Sequence, residues 1–191
     1  GVSSLGYGHK KWVEATSSQL GTLVHASNIF LTEPSVKLAK ELTEKSKMKK
    51  IFFGNSGAEA NEGAIKIARK YSFDKYGQGR NTILTLTQSF HGRTITTLKA
   101  TGQEKFHQYF YPFTEGFNYI KANDLNDFKE KLTPDVCAIM LEAIQGEGGV
   151  IPLDKDFVQE VVKMCNGKDV LVIFDEVQCG IARTGKMFGY N

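Results

Sequence analysis

A chain of 191 residues with 41% hydrophobic and 24% charged content can bury the core of one domain and has the balance of an ordinary globular protein. Its net charge of +3, from 24 Lys and Arg against 21 Asp and Glu and with no long basic block, points away from nucleic acid and membrane surfaces as partners. Three widely spaced cysteines, Cys137, Cys165 and Cys179, suit free thiols in a reducing compartment, and the four scattered histidines set no metal-ligand spacing, so no metal is expected.

Gly1 to Gly8 reads as turn, and Lys10 to Leu20 as a short amphipathic helix with Trp12, Val13, Thr16 and Leu20 on one face. Thr22 to Phe30 is irregular or extended. Thr32 and Pro34 then open a second helix through Val36, Ala39 and Leu42, which dissolves in lysine-rich residues 44–50. Ile51-Phe52-Phe53 is expected as a short strand and Gly54-Asn55-Ser56-Gly57 as the turn after it. A strong helix follows, with Ala60, Ala64, Ile67, Ala68 and Tyr71 on its apolar face. Thr82 to Leu86 reads as a strand, Gln88 to Arg93 as a polar turn and Thr94 to Lys99 as a short helix. Residues 103–117 are rich in aromatics without clear period, which suits irregular cover or a subunit contact.

Asn123 to Lys131 reads as a helix, Cys137 to Leu141 as a strand and Glu142 to Val150 as a glycine-rich loop. Asp154 to Cys165 is an amphipathic helix with Phe157, Val158, Val161, Val162 and Cys165 inward. Val170 to Phe174 is an unbroken apolar run, as in a strand covered on both faces, and it ends in Asp175 and Glu176. Strands alternating with helices indicate an α/β fold, a mostly parallel sheet with helices on both faces. No apolar segment approaches bilayer-spanning length and no signal peptide is visible.

Four strand-end loops hold the candidate chemistry. Asp175 sits at a strand's carboxyl end, where α/β sheets bind ligands; it either pairs with a basic ring nitrogen or only starts a loop. Ser56-Gly57-Ala58-Glu59 opens a helix, either as a capping box or as an anion site built from free first-turn amides. It lacks the ending of a phosphate-binding P-loop, which disfavours a nucleotide. Ser89-Phe90-His91-Gly92-Arg93 offers a stacking ring, an imidazole and a guanidinium suited to a carboxylate, or else a buried Phe and a surface Arg. Glu142 and Glu147 flank glycines in the fourth loop, either as acid/base groups or as solvated acids. Together these features describe a pocket for a flat, phosphorylated heteroaromatic with a basic ring nitrogen beside a carboxylate-bearing substrate. Pyridoxal phosphate with an amino acid fits that description.

These motifs resemble the class III (ω-amino acid) family of pyridoxal-phosphate aminotransferases, of fold type I. The likeness is carried by residues 55–62 (Asn55-Ser56-Gly57-Ala58-Glu59-Ala60-Asn61-Glu62), by Ser89 to Thr94, by Glu142 to Gly149, and by Asp175 to Gln178 with Gly180, Arg183, Thr184 and Gly185. His25-Ala26-Ser27-Asn28 is similar to the branch acting on N-acetylornithine. Ala143 stands where many relatives carry proline. The resemblance implies that Gly57 and Ala58 bind the cofactor phosphate, Phe90 stacks on its ring, Asp175 is the catalytic partner of the ring nitrogen, and Gln178 approaches the phenolic oxygen. Ser56, His91 and Val177 are expected among the cofactor contacts; Arg93, Glu142 and Glu147 are expected on the substrate side, Arg93 on the α-carboxylate.

The implied activity moves the δ-amino group of N-acetylornithine to 2-oxoglutarate, in arginine biosynthesis. Alternatives are other ω-amino donors (ornithine, succinylornithine, 4-aminobutyrate) or a non-catalytic module of the same fold. The family's cofactor-bearing lysine lies beyond the Asp175 motif, and Lys186 is too early to replace it. Residues 1–191 are therefore expected to be most of the large cofactor-binding domain, inactive alone, in a cytoplasmic homodimer.

Overall fold

Two runs are buried at every position, β1 (Thr82–Leu86) and β3 (Val136–Leu141). They lie at the centre of a four-stranded, wholly parallel sheet of order β2-β1-β3-β6, in which β2 spans Phe117–Ile120 and β6 spans Leu171–Phe174. The computed structural model describes residues 2–191, so Gly1 and the start of the expected Gly1–Gly8 turn lie outside the described residues. The chain divides into two units, residues 1–52 and 53–191.

The first unit carries α1 (Lys10–Leu20) and α2 (Glu33–Ser46), both where the sequence predicts them and neither with a fully buried residue. The strand expected at Ile51–Phe53 does not form. Phe52 and Phe53 are exposed, and no described strand pairs with them. An apolar triplet without a ladder partner leaves its backbone groups to water, so chain tethers it without sheet geometry.

In the second unit, side-chain alternation on the strands feeds two cores on opposite faces of the sheet. Leu84 and Leu86 of β1 and Ile139 and Leu141 of β3 pack with Phe128 of α5 (Leu125–Lys131) and with Phe157, Val161 and Cys165 of α6 (Lys155–Gly167). Ile83, Ala138 and Met140 face the other way, onto Ile65 and Ala68 of α3 (Gly57–Tyr76) and Ala100 of α4 (Ile95–Ala100). The α/β fold with helices on both faces is as the alternation predicts. Spacings of four along α6 put its buried residues on one stripe, and Asp124 caps α5 by accepting from the Asn126 and Asp127 amides.

Three details differ from the sequence reading. The buried stripe of α3 is Asn61, Ile65, Ala68 and Ser72, about one residue round from the predicted face; Ile67 is 61% exposed. Two polar residues occupy the buried stripe because each has a partner there, Ser72 donating to the Arg80 carbonyl at 2.6 Å and Asn61 to groups described below. β2 was not predicted: its four residues include Asn118 and show no apolar run, and pairing with β1 makes it a strand. β6 is half-buried along its length rather than covered, since among the described residues it pairs only with β3. The glycine-rich loop also holds a small antiparallel pair, β4 (Ile144–Gln145) with β5 (Ile151–Pro152). All three cysteines are buried and free.

Candidate active site

Because β1, β3 and β6 run parallel, their carboxyl ends gather at one edge of the sheet, and the N-terminus of α3 arrives beside them. A cavity of about 350 Å³ opens between these segments. Ser56, in extended conformation, caps α3 by accepting from the Glu59 amide at 3.2 Å. Glu59 reaches back past the cap and accepts from both the backbone and the side-chain nitrogen of Asn55, at 2.5 and 2.9 Å. The cap is thus one residue wider than a simple capping box. The amides of Gly57 and Ala58 have no partner within the helix and carry the positive end of its dipole.

Two glycines make the approach possible. A Cβ on Gly57 would lie 2.6 Å from Cγ2 of Val177, so only glycine lets the turn after β6 pack against the start of α3. Gly92, at φ +135°, could not carry a Cβ without meeting Thr97 Oγ1 at 2.5 Å and the Ala58 methyl at 2.9 Å. The loop after β1 is thereby pressed onto the same helix start.

Asp175 is 6% exposed and fully engaged. Its Oδ2 accepts from Asn61 Nδ2 at 2.7 Å and contacts His91 Nδ1 at 2.8 Å, while Oδ1 accepts from the Val177 amide at 3.0 Å. Burial pushes this carboxyl up, but the hydrogen bond and charge of His91, the Val177 amide and Asn61 outweigh burial and hold it below the ordinary carboxylate range. It is therefore an anion at neutral pH. His91 is itself buried; its amide donates to Thr101 Oγ1 at 2.9 Å, and its Nε2 has no hydrogen-bond partner among the described residues.

Glu142, at the end of β3, behaves oppositely. Burial pushes its carboxyl up to about 7; Asp175 adds to the rise, against the pull of His91 and the amides of Phe90 and Gly146. Its Oε2 accepts from the Phe90 amide at 3.0 Å. The Phe90 ring is half-buried and meets Phe106 edge-on at 6.0 Å. The Arg93 guanidinium is exposed and lies over both rings, 5.9 Å from Phe90 and 5.5 Å from Phe106.

The cavity walls hold Gly57, Ala58, Phe90, His91, Arg93, Glu142, Asp175, Val177 and Gln178, all named by the sequence reading. Two named residues stand apart. Ser56 serves as the helix cap, and Glu147 is exposed and does not line the cavity. Asn61 and Thr101 were given no role from sequence. The signal for Asn61 was a polar residue in step with Ile65, Ala68 and Ser72 along the buried stripe of α3. Glu142 was named, but its burial and raised carboxyl lacked a sequence signal, since both depend on how segments distant in sequence close around it.

Residues 1–191 match the family model described as aminotransferase class-III. An acetylornithine aminotransferase of Haemophilus ducreyi is 59% identical over 192 residues, covering 100% of this chain and 49% of that protein. One from Caldanaerobacter subterraneus is 52% identical over 190 residues, covering 100% of this chain and 48% of that protein. Among solved structures, an ornithine aminotransferase of Toxoplasma gondii, with PLP at partial occupancy in its active site, superposes with a TM-score of 0.92 at 31% identity. That superposition covers 97% of this chain and 45% of the other. The chain thus spans about half the length of the curated relatives it matches.

Proposed function

Because the chain belongs to the class-III aminotransferases, we propose that it is most of the large, cofactor-binding domain of an enzyme that moves the δ-amino group of N-acetylornithine to 2-oxoglutarate. Pyridoxal phosphate is the proposed cofactor, and when bound it would supply an electron sink for negative charge developing on the donor. The observation that carries the reading is Asp175, a buried carboxylate kept ionised by three donors and set opposite the open amides of α3.

The residues present fit the group. The amides of Gly57 and Ala58, at a helix start that lines the cavity and without partners within the helix, suit a phosphate. Asp175 supplies the anion that holds a ring nitrogen protonated, and Phe90 supplies a flat apolar face. Gln178 can donate to a phenolic oxygen. Arg93 can receive a substrate carboxylate through two parallel hydrogen bonds after leaving the Phe90 and Phe106 rings. Glu142, with its carboxyl near neutrality, keeps the substrate side free of a second full negative charge. Glu147 is proposed on the substrate side as well.

N-acetylornithine is favoured over other ω-amino donors because relatives at 59% and 52% identity across the whole chain are acetylornithine aminotransferases. We also propose a homodimer in the cytoplasm; the three free, buried thiols suit a reducing compartment, and no described helix is long and apolar enough to cross a membrane.

The test is glutamate formation by the full-length protein from 2-oxoglutarate, with N-acetylornithine, ornithine, succinylornithine and 4-aminobutyrate compared as donors. N-acetylornithine is expected to give the highest kcat/KM. Preference for another donor would overturn the substrate, and no glutamate from any of the four would overturn the activity.

A further inference from the structure

One side chain joins three of the four segments that build the cavity. Asn61 lies one helical turn inside α3 from Gly57, is 5% exposed, and spends both hydrogens of its Nδ2 on the site. One goes to Asp175 Oδ2 at 2.7 Å, the other to the His91 carbonyl at 2.9 Å. It thus ties the phosphate-facing helix start, the loop after β1 and the end of β6 at a single point. A polar side chain among Ile65, Ala68 and the sheet is costly to bury unless its hydrogen bonds are made. Here both donor hydrogens are used, and both partners belong to the cavity.

From this juxtaposition we propose that Asn61 is a positioning residue for Asp175: an uncharged donor that fixes the carboxylate's orientation toward the cofactor. The proposal rests on the functional reading above for what Asp175 does, but the Asn61–Asp175 coupling is a property of the protein alone.

The alternatives around Asp175 sharpen the role. His91 faces it from the loop after β1, Glu142 from the end of β3, and Cys179 from the turn beyond β6. Each of these carries an ionisable side chain. α3 brings no titrating group to Asp175, for Glu59 is bonded to Asn55 and Glu62 accepts from Thr94. With the Val177 amide, Asn61 is a donor whose contribution does not change with pH. Replacing its amide by a carboxyl would set two acids against each other at hydrogen-bond distance, where they must share a proton.

The experiment compares wild type with Asn61→Leu, Asn61→Asp and Asn61→Ser in the full-length protein. The carboxyl 13C shift of Asp175, assigned by its loss in Asp175→Asn, is followed against pH without cofactor. Pyridoxal phosphate affinity is measured across the same pH range. Loss of the donor in Asn61→Leu is expected to move the Asp175 titration up, and Asn61→Asp to move it further. Asn61→Ser, which keeps one donor hydrogen in a smaller side chain, is expected to fall between wild type and Leu and serves if Leu does not fold. The pH below which cofactor affinity falls should shift in step. Titrations that coincide in all foldable variants, with only a uniform drop in stability, would reduce Asn61 to a packing residue and overturn the proposal. If wild type binds no pyridoxal phosphate at any pH, the functional reading fails, while the cofactor-free titration still decides the role of Asn61.

Discussion

Asp175 and Glu142 lie at the ends of neighbouring strands and are both almost fully buried, yet their surroundings drive them apart. Asp175 has three donors and stays ionised; Glu142 has two amides and a carboxylate neighbour, and its carboxyl rises to about 7. A pair of acids separated in this way can present one charge and one proton at neutral pH. The sign of the Glu142 effect on stability follows from its raised value. The folded chain keeps that proton up to about pH 7, whereas the unfolded chain loses it near the ordinary glutamate value of 4.5, so stability falls as pH rises through this window. Glu142→Gln removes the dependence while its carbonyl still accepts from the Phe90 amide. In denaturant unfolding the variant should match wild type at pH 5 and exceed it at pH 8, by on the order of 2 kcal/mol. An equal difference at both pH values would contradict the assignment. Gly57 gives a second prediction at this scale. Gly57→Ala forces a methyl into Val177 and should cost about 1–3 kcal/mol of stability while weakening cofactor binding. Val177→Ala in the same protein should restore much of both. A double variant no better than the single one would show that the Gly57–Val177 contact is not the cause.

Among the elements, α3 carries the most information. Its N-terminus faces the cavity, its buried stripe packs on the sheet, and its far end is tied down by Asp169, which accepts from Tyr71 and Tyr76 and pairs with Lys75 at 2.8 Å. Ile65 and Ile67 test where its buried face lies. Ile65→Ala should cost about 2–4 kcal/mol, and Ile67→Ala less than about 1 kcal/mol, in chemical denaturation. The reverse order would restore the face predicted from the apolar pattern. That pattern failed for a physical reason. Asn61 and Ser72 belong to the buried stripe because of hydrogen bonds made to distant segments, and hydropathy alone does not register such bonds. β1, β3 and α6 were legible because each carries its own signal: β-branched and apolar runs in the two strands, a four-residue apolar spacing in the helix. β2 and the absent strand at Ile51–Phe53 were not legible, since pairing with a neighbour, or the lack of it, decided both. The site was legible wherever a motif crowds a helix start or a strand end, as at Ser56–Glu59 before α3 and at Phe90–Arg93 and Asp175–Gln178 after strands. It was not legible at Asn61, Thr101 or the raised carboxyl of Glu142, which depend on how loops distant in sequence close on one another.

On the scale of the whole molecule, residues 53–191 form a parallel sheet between two helical layers, with every cavity-lining residue supplied by this unit. The chain spans about half of its curated relatives, so the catalytic cycle is proposed for the full-length protein. The proposed function makes one demand on that protein: a cofactor with a phosphate, a flat ring and a protonatable nitrogen is to bind between α3, the Phe90 loop and Asp175. The most direct test is an absorbance titration of the full-length protein with pyridoxal phosphate, followed by addition of N-acetylornithine. The account predicts a saturable visible band that bleaches when the donor is added and returns with 2-oxoglutarate. A protein that develops no band, or a band indifferent to N-acetylornithine and to the other ω-amino donors, would contradict it.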